Sequence, residues 1–478
     1  MKNVFKLIGI IALVAVIGFS MITCGDEDDP PPGGGDPGGS NPGSGDPGGG
    51  DPGGGNPGGN PVDSNPIAVS WTNLTANGTT NTIDTTSLTL TFDKDPVGLA
   101  IGNVTVTGAT KGTLTASGAT RTLSISNITV AQGANVTVTF TNPTGYTITP
   151  NSKTVAIKKG PVFTAVADNT FLDYVAPGSS STYKASIFDI AYGNGKFVAV
   201  GGYSGIVSKI ATSTDGITWT AVADNTFGTS AIQNIAYVDG KFFASGGSKT
   251  AYSTDGETWT ALADIAFGSI AYGNGKFVSG GGSGKMWTST DGITWTEVAN
   301  SPFSISSNIV DIVYGNGTFV AGAFLQSSPI HTAMATSTDG TNWTIVSNGF
   351  GYYNQIEAIV YVDGKFFAVG SFNSNGKIAT SSDGITWTTV NLSTLFSDNI
   401  IYDIAYGNGS FVAVGSFGKM ATSTNGTTWT AVADNSIWEF FLYGNIILRL
   451  INAIAYGNGT FVAGSANGAD GQMAYWKP

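Results

Sequence analysis

IAYGNGKFVAVG (190–201) and, a few residues later, STDGITWT (213–220) are the two phrases on which the fold turns, because the chain repeats both from about residue 161 to its end. The first recurs as IAYVDGKFFASG (235–246), IAYGNGKFVSGG (270–281), IVYGNGTFVAG (312–322), IVYVDGKFFAVG (359–370), IAYGNGSFVAVG (404–415) and IAYGNGTFVAG (454–464). Each copy sets two short apolar runs around Gly-Asn-Gly or Val-Asp-Gly, a turn whose central residues take positive φ in a tight hairpin. The second phrase recurs as STDGETWT (253–260), STDGITWT (289–296), STDGTNWT (337–344), SSDGITWT (381–388) and STNGTTWT (423–430), a second hairpin per repeat. Seven units of four strands follow, and repetition at a fixed period outranks other sequence signals in choosing a fold.

The arithmetic of the last unit selects a ring. GQMAYWKP (471–478) supplies a third strand without a fourth, while FTAVADNTF (163–171) repeats the fourth-strand text TAVADNTF (220–227) with no third strand before it. If strand 163–168 completes the final unit, no sheet edge is left open between first and last repeat. The expected fold is therefore all-β, a seven-bladed β-propeller over 161–478. The second hairpin resembles the Asp-box repeat of sialidase-like propellers, with one residue fewer between Asp and Gly. That resemblance implies that Asp215, Asp255, Asp291, Asp339, Asp383 and Asn425 fold their own turns, and that Trp219, Trp259, Trp295, Trp343, Trp387 and Trp429 pack between blades. Asx-turn chemistry leads to the same reading of the acidic positions, and Asn425 shows that no charge is needed there.

Upstream, Lys2 and Lys6 precede an apolar run from Leu7 to Ile22, shorter than the roughly 20 residues of a spanning helix. The run ends at Cys24, the single cysteine, in MITCGDEDD. This resembles the lipobox of bacterial lipoproteins, with Thr23 where Gly or Ala is usual. It implies a signal peptide over 1–24, acylation of Cys24, and a chain exported and anchored to the cell envelope at the outer membrane or cell surface. Residues 25–66 vary on DPGGG and are expected to be a disordered tether. Alternating stretches such as SLTLTF (87–92), TRTLSISNITV (120–130) and NVTVTF (135–140) predict a small β-sandwich over 67–159, similar in size and pattern to the Ig-like modules of bacterial surface proteins.

Charge and composition exclude several functions. The net charge is −12, and Arg121 and Arg449 are the only arginines, so nucleic acid is not an expected partner. Eight of the 32 acidic residues lie in the tether, leaving 24 against 18 basic residues from position 66 onward. Sialidase chemistry requires an arginine triad that this sequence cannot supply. His331 is the only histidine, and no nucleophile motif accompanies it. With neither His nor Cys clusters, no metal or other cofactor is expected. Paired carboxylates stay open as an alternative: Asp189, Asp311 and Asp403 precede first strands near the expected central channel, where a glycoside hydrolase or polysaccharide lyase could use them.

Comparison of the repeats points to binding instead. The turns within each hairpin are nearly constant, whereas the connections between hairpins vary, and in a propeller those connections share one face. Candidate ligand contacts there are Tyr203, Phe324, His331, Tyr352 and Tyr353, with Tyr174 and Tyr183 before the first blade. The longest departure, SIWEFFLYGNIILRLI (436–451), adds Trp438, Phe440, Phe441, Tyr443 and Arg449, either as an exposed anchor or as local core. The sequence thus predicts a monomeric, non-enzymatic envelope lipoprotein, membrane-bound through its lipid, whose propeller holds a protein or carbohydrate ligand.

Overall fold

The computed structural model describes residues 65–478, apart from short stretches at 82, 168–171, 176–177, 179, 204, 224–225, 263–264, 266, 326–330, 347–353, 373–374, 391, 393–394, 433–435, 443–444 and 467–470. The signal peptide expected over 1–24 with its Cys24, and all but the last two residues of the tether expected over 25–66, lie outside the described residues, as do Tyr352, Tyr353 and Tyr443. Among the described residues the regular structure is strand, with short 3₁₀ turns and no α-helix.

Residues 67–156 form two sheets. Ile67–Ala76, Ser87–Phe92, Thr110–Ser117, Thr120–Ser126 and Tyr146–Thr149 make a five-stranded sheet, and Val104–Thr107, Asn135–Phe140 and Ser152–Ala156 make a three-stranded one. Alternation dictates the packing: in SLTLTF the residues Leu88, Leu90 and Phe92 point inward while Ser87, Thr89 and Thr91 do not. The inward residues of both sheets share one core, in which Trp71 lies against Phe140 at 4.7 Å between ring centroids. The first strand also pairs in parallel with Tyr146–Thr149, so the larger sheet is mixed.

Beyond residue 163 the described residues form seven four-stranded antiparallel sheets, six of them meanders in chain order and the seventh taking its fourth strand from Thr164–Ala165. The chemistry of the first hairpin appears in its dihedrals. Asn194, Asp239, Asn274, Asn316, Asp363, Asn408 and Asn458 all take φ between 45° and 51°, each followed by a glycine with positive φ. Across every one of these hairpins a tyrosine meets a phenylalanine at 4.5 to 4.8 Å, from Tyr192–Phe197 in the first sheet to Tyr456–Phe461 in the last. The first strand of each sheet lies against that of the next, and Ile451–Gly457 of the last lies against Ser186–Gly193 of the first, so the sheets form a closed ring.

Closure uses the strand that the repeat arithmetic singled out. Thr164–Ala165 is the fourth strand of the last sheet, pairing Ala165 with Ala474 and Thr164 with Tyr475, and Val166 donates its N–H to the Met473 carbonyl at 2.9 Å. No Asp turn exists at this seam. Phe163 and Trp476 occupy its place, with Trp476 stacked on Phe461 at 5.1 Å and 11°. Two further hairpins lie outside the seven sheets: Asp173–Val175 with Thr182–Lys184, and Glu439–Leu442 with Asn445–Leu448. The second lies in the 436–451 departure, whose run of Phe, Leu and Ile around Gly444-Asn445 is itself a strand-turn-strand pattern.

Sheets touch through aromatic rings laid on glycine. A Cβ added to Gly193 would come within 1.9 Å of the Tyr237 ring, and the same relation holds for Gly273 with Tyr314, Gly315 with Tyr361 and Gly407 with Tyr456. At the seam Gly457 receives Tyr192 in the same way, so closure reproduces the ordinary interface. Replacing Gly457 with alanine should therefore overpack the seam and cost about 1–3 kcal/mol, read as a lowered Tm in thermal melts; an unchanged Tm would mean that the ring is not closed through this contact.

Candidate functional site

The recurring Ser-x-Asp-Gly turn is built the same way six times. In the first sheet Ser213 Oγ donates to Asp215 Oδ1 at 2.9 Å, and Oδ1 accepts the Ile217 and Thr218 N–H groups at 2.8 Å each. Ser213 Oγ in turn accepts the Gly216 N–H, and Trp219 Nε1 donates to the Gly216 carbonyl, a bond that every one of the six tryptophans but Trp259 makes. Asn425 repeats the arrangement with its amide oxygen, which accepts from Thr427 and Thr428. These side chains are consumed by the turn, as Asx-turn chemistry implies.

The turns also join the sheets. A Cβ on Gly256 would meet Val198 of the preceding sheet at 2.7 Å, and Gly292, Gly340, Gly384 and Gly426 sit likewise on Phe243, Val278, Val320 and Phe367. Gly216 docks on Val462 across the seam. Polar contacts follow the same path: Lys196 Nζ donates to the Asp255 carbonyl, Asn316 Nδ2 to that of Ser382, and Asn458 Nδ2 to that of Thr214. At one of the two Val-Asp-Gly turns the tyrosine finds another partner. Tyr406 donates its hydroxyl to Asp363, and that hydrogen bond, with burial, raises the tyrosine pKa.

Asp189, Asp311 and Asp403 do not form a free carboxylate pair. Each sits at a register shift in its first strand, where a bulge re-aims the side chain. Asp189 accepts the N–H of its own neighbour Ile190 at 2.9 Å on Oδ1 and that of Ile235, in the next sheet, at 2.8 Å on Oδ2. Asp311 does the same with Ile312 and Ile359 and receives the Ser269 hydroxyl at 2.6 Å; Asp403 does it with Ile404 and Ile454. Burial pushes the Asp403 carboxyl well above its ordinary range, repulsion from Asp189 and Asp311 adds to this, and the Ile454 and Ile404 N–H groups oppose it.

The candidate ligand contacts divide. Tyr203 is 40% exposed and lies 5.5 Å from buried Tyr174. Phe324 is partly buried against the core between sheets four and five. His331 begins a third strand, and Phe440 and Phe441 lie on the added hairpin; Tyr183 is on the other one. Trp438 and Arg449, by contrast, belong to the interior and are not ligand contacts. Trp438 is fully buried among Val414, Met420, Ile451 and neighbouring core residues, and Arg449 is 6% exposed with its guanidinium donating to the Glu439 carbonyl at 3.0 Å. The insertion has to cover its own apolar side chains, and these two fasten it to the last two sheets.

Three exposed apolar residues on the same variable end escaped sequence reasoning: Val175, Ile305 and Phe417, at 58%, 83% and 38% exposure. Phe417 takes φ 55° in the turn GSFGK, where the matching turn GGSGK of the third sheet holds Ser283 at φ 58°. A bulky residue in the left-handed region is strained, and such strain collects at functional positions. Setting those two turns side by side would have revealed it.

A family model described as the DUF6242 beta propeller domain matches residues 357–475. The fold is a β-propeller. Among solved structures, the chain is similar to YCF48 bound to D1 peptide, at 15% identity and a TM-score of 0.46 over 66% of this chain and 98% of that one. It is also similar to YCF48 from Cyanidioschyzon merolae, at 17% identity and a TM-score of 0.45 over 64% and 98%, and to the computationally designed Ika8 protein, at 12% and 0.40 over 62% and 96%. No curated protein matches the chain.

Five of the six turns, those with aspartate, carry a pH signature. Two backbone donors, Thr258 and Glu257, hold the Asp255 carboxyl down at about 2, and equivalent pairs hold Asp291, Asp339 and Asp383 below the ordinary range. At Asp215 burial pushes upward and the Thr218 and Ile217 N–H groups outweigh it. A carboxyl depressed on folding contributes stability above its unfolded pKa, near 4, that is lost as pH falls. Combined Asp255→Asn, Asp291→Asn and Asp339→Asn should hold Tm at pH 7 close to that of the parent, as Asn425 already demonstrates the geometry, while flattening the fall in Tm between pH 4 and 2. A parallel fall in both proteins would assign the acid loss elsewhere.

Proposed function

We propose that this chain is an exported lipoprotein of the bacterial cell envelope, anchored through Cys24, held off the membrane by its Gly/Pro tether and an Ig-like spacer, and that its seven-bladed, Asp-box-like propeller binds a protein or carbohydrate. The observation that carries the reading is the contrast between the two ends of the ring. At one end five Asp turns, one Asn turn and seven first-hairpin turns repeat almost without change, every one engaged in building or joining sheets. At the other end lie both added hairpins, exposed Tyr203, Val175 and Ile305, and Phe417 on strained backbone. Variation gathered on one end of a rigid scaffold is the arrangement of a recognition surface.

The alternative, a glycoside hydrolase or polysaccharide lyase, has the raised Asp403 carboxyl in its favour. Yet the bridges from Asp189, Asp311 and Asp403 to the next sheet occupy both oxygens of each carboxylate with N–H donors. A structural duty accounts for the three as fully as a catalytic one would.

The mature chain, screened on glycan and peptide arrays, should give saturable binding without depolymerising any polysaccharide it holds. The double variant Tyr203→Ala, Phe417→Ala should lose about tenfold or more in affinity at unchanged Tm, whereas Trp438→Ala should lower Tm by removing core. Polysaccharide turnover abolished by Asp403→Asn would favour the enzyme instead. Anchoring is tested separately: Cys24→Ser should move the protein from the membrane to the soluble fraction and remove labelling by a fatty-acid probe, and retention of either would refute lipidation at this residue.

A further inference from the structure

The seven sheets meet through their first strands, so neighbouring sheets diverge toward their outer, fourth strands. Between sheets one and two this divergence leaves a cleft of about 500 Å³ at the end that carries the Asp turns, within the size range of small-molecule sites. One wall is the third and fourth strands of sheet one, from Thr212 to Thr214 and from Thr220 to Ala223. The opposite side is closed by Lys196, of the first hairpin of sheet one, and Glu257, of the Asp turn of sheet two, with Nζ and Oε1 at 2.6 Å.

Folding does not account for that pair. The position of Glu257 carries Ile217, Ile293, Thr341, Ile385 and Thr427 in the other five turns, and the position of Lys196 carries Thr318, Ser410 and Thr460 in three other hairpins. Uncharged residues therefore serve the ring at both places. The Glu257 side chain is 55% exposed, and an ion pair so open to water adds little to stability. What the pair does is set an ammonium and a carboxylate side by side on a cleft otherwise walled by threonine, serine, alanine and valine.

The cleft has hydrogen-bonding capacity to spare. Lys196 uses two of its three N–H donors, on Glu257 Oε1 and the Asp255 carbonyl, and Glu257 Oε2 accepts from no described residue. Thr214 and Thr220 are exposed and their hydroxyls bond to no described residue, while the Thr218 hydroxyl reaches Asp215 only at 3.4 Å. Donors and acceptors thus line the cleft together without net charge, and Ala221, Val222 and Ala223 add a shallow apolar strip with no aromatic ring. An ionic ligand finds no excess of opposite charge there, and a flat aromatic one finds nothing to stack on. A compact ring that carries hydroxyls at its rim and C–H groups on its face satisfies both kinds of wall. We propose that the cleft is a binding site for a neutral saccharide, separate from the variable end of the ring and independent of any ligand held there. One hydroxyl of the sugar accepts the remaining Lys196 N–H while its neighbour donates to Glu257 Oε2.

The test is titration of the full chain, by saturation-transfer NMR and calorimetry, with glucose, galactose, mannose, N-acetylglucosamine, cellobiose and maltose, and with glucuronate and glucosamine as charged comparators. At least one neutral sugar should bind saturably and more tightly than either charged one. Glu257→Ile and Lys196→Thr each install a residue that other sheets of this chain carry at the same position, so both should keep the parent's Tm while losing about tenfold or more in affinity, the effect of one hydrogen bond to a charged group. Lys276→Thr, at the same register of sheet three, should bind as the parent does. So should the double variant Tyr203→Ala, Phe417→Ala, which separates this site from the variable end. No binding of any neutral sugar, a preference for glucuronate or glucosamine, or parental affinity in Glu257→Ile and Lys196→Thr would overturn the assignment.

Discussion

The ring depends on one contact made repeatedly, the face of a tyrosine laid on the α-carbon of a glycine in the preceding sheet. No side chain can occupy the glycine position, and the tyrosine is held from its other side by the phenylalanine across its hairpin, at 4.5 to 4.8 Å. Distance between sheets is thereby set by ring thickness, and the same contact at Gly457 and Tyr192 closes the circle. Aromatic pairs contribute roughly 0.5–1.5 kcal/mol beyond their burial, but their larger effect here is geometric. Five copies of one spacing, with a different packing at the two junctions that carry valine, fix the circle that the seam must meet.

Two of the seven units break the pattern together, and in the same manner. The second and fifth carry Val-Asp-Gly for Gly-Asn-Gly and Phe-Phe for Phe-Val, as in VDGKFF at 238–243 and 362–367. Valine forbids the ring-on-glycine contact, the second phenylalanine refills the junction against the next sheet, and Asp363 takes the hydroxyl of the displaced Tyr406. The third and sixth units share a Gly-Lys-Met third strand after a 3₁₀ turn, and the first, fourth and sixth share an aspartate before Ile-Ala-Tyr or Ile-Val-Tyr. The Val-Asp-Gly and Gly-Lys-Met variations thus each recur three sheets apart, whereas the aspartate does not keep that period.

The strands, their turns and the closing strand at 164–165 were legible because local chemistry and periodicity specify them: positive-φ turn residues, alternating burial, and an unpaired third strand matched by an orphan fourth. The structural use of the six Asp or Asn positions was legible for the same reason, since an Asx turn is closed within four residues. The fate of 436–451 was not. Whether Trp438 and Arg449 face solvent or core depends on which sheet surface the insertion folds against, a long-range fact to which periodicity is blind. Phe417 was hidden by the opposite circumstance: in GSFGK it looks like an ordinary loop aromatic unless that turn is set beside GGSGK of the third sheet, and its dihedral marks it directly.

Aspartate illustrates how position outranks identity in this fold. In the outer turns, two N–H donors and open solvent stabilise the carboxylate, and its pKa falls. On the inner strands, two N–H donors also reach Asp403, yet burial and the facing charges of Asp189 and Asp311 outweigh them, and its pKa rises. The donor count is the same; the surroundings decide the sign. The outer turns tolerate asparagine at residue 425 and the inner positions tolerate alanine at 358 and 453, so neither set is required at every sheet for closure. What closure does require, the glycines, tyrosines and constant turns, occupies one end and the junctions between sheets. That leaves the other end as the part of the surface free to change without opening the ring, and the hairpins and exposed aromatics are found there.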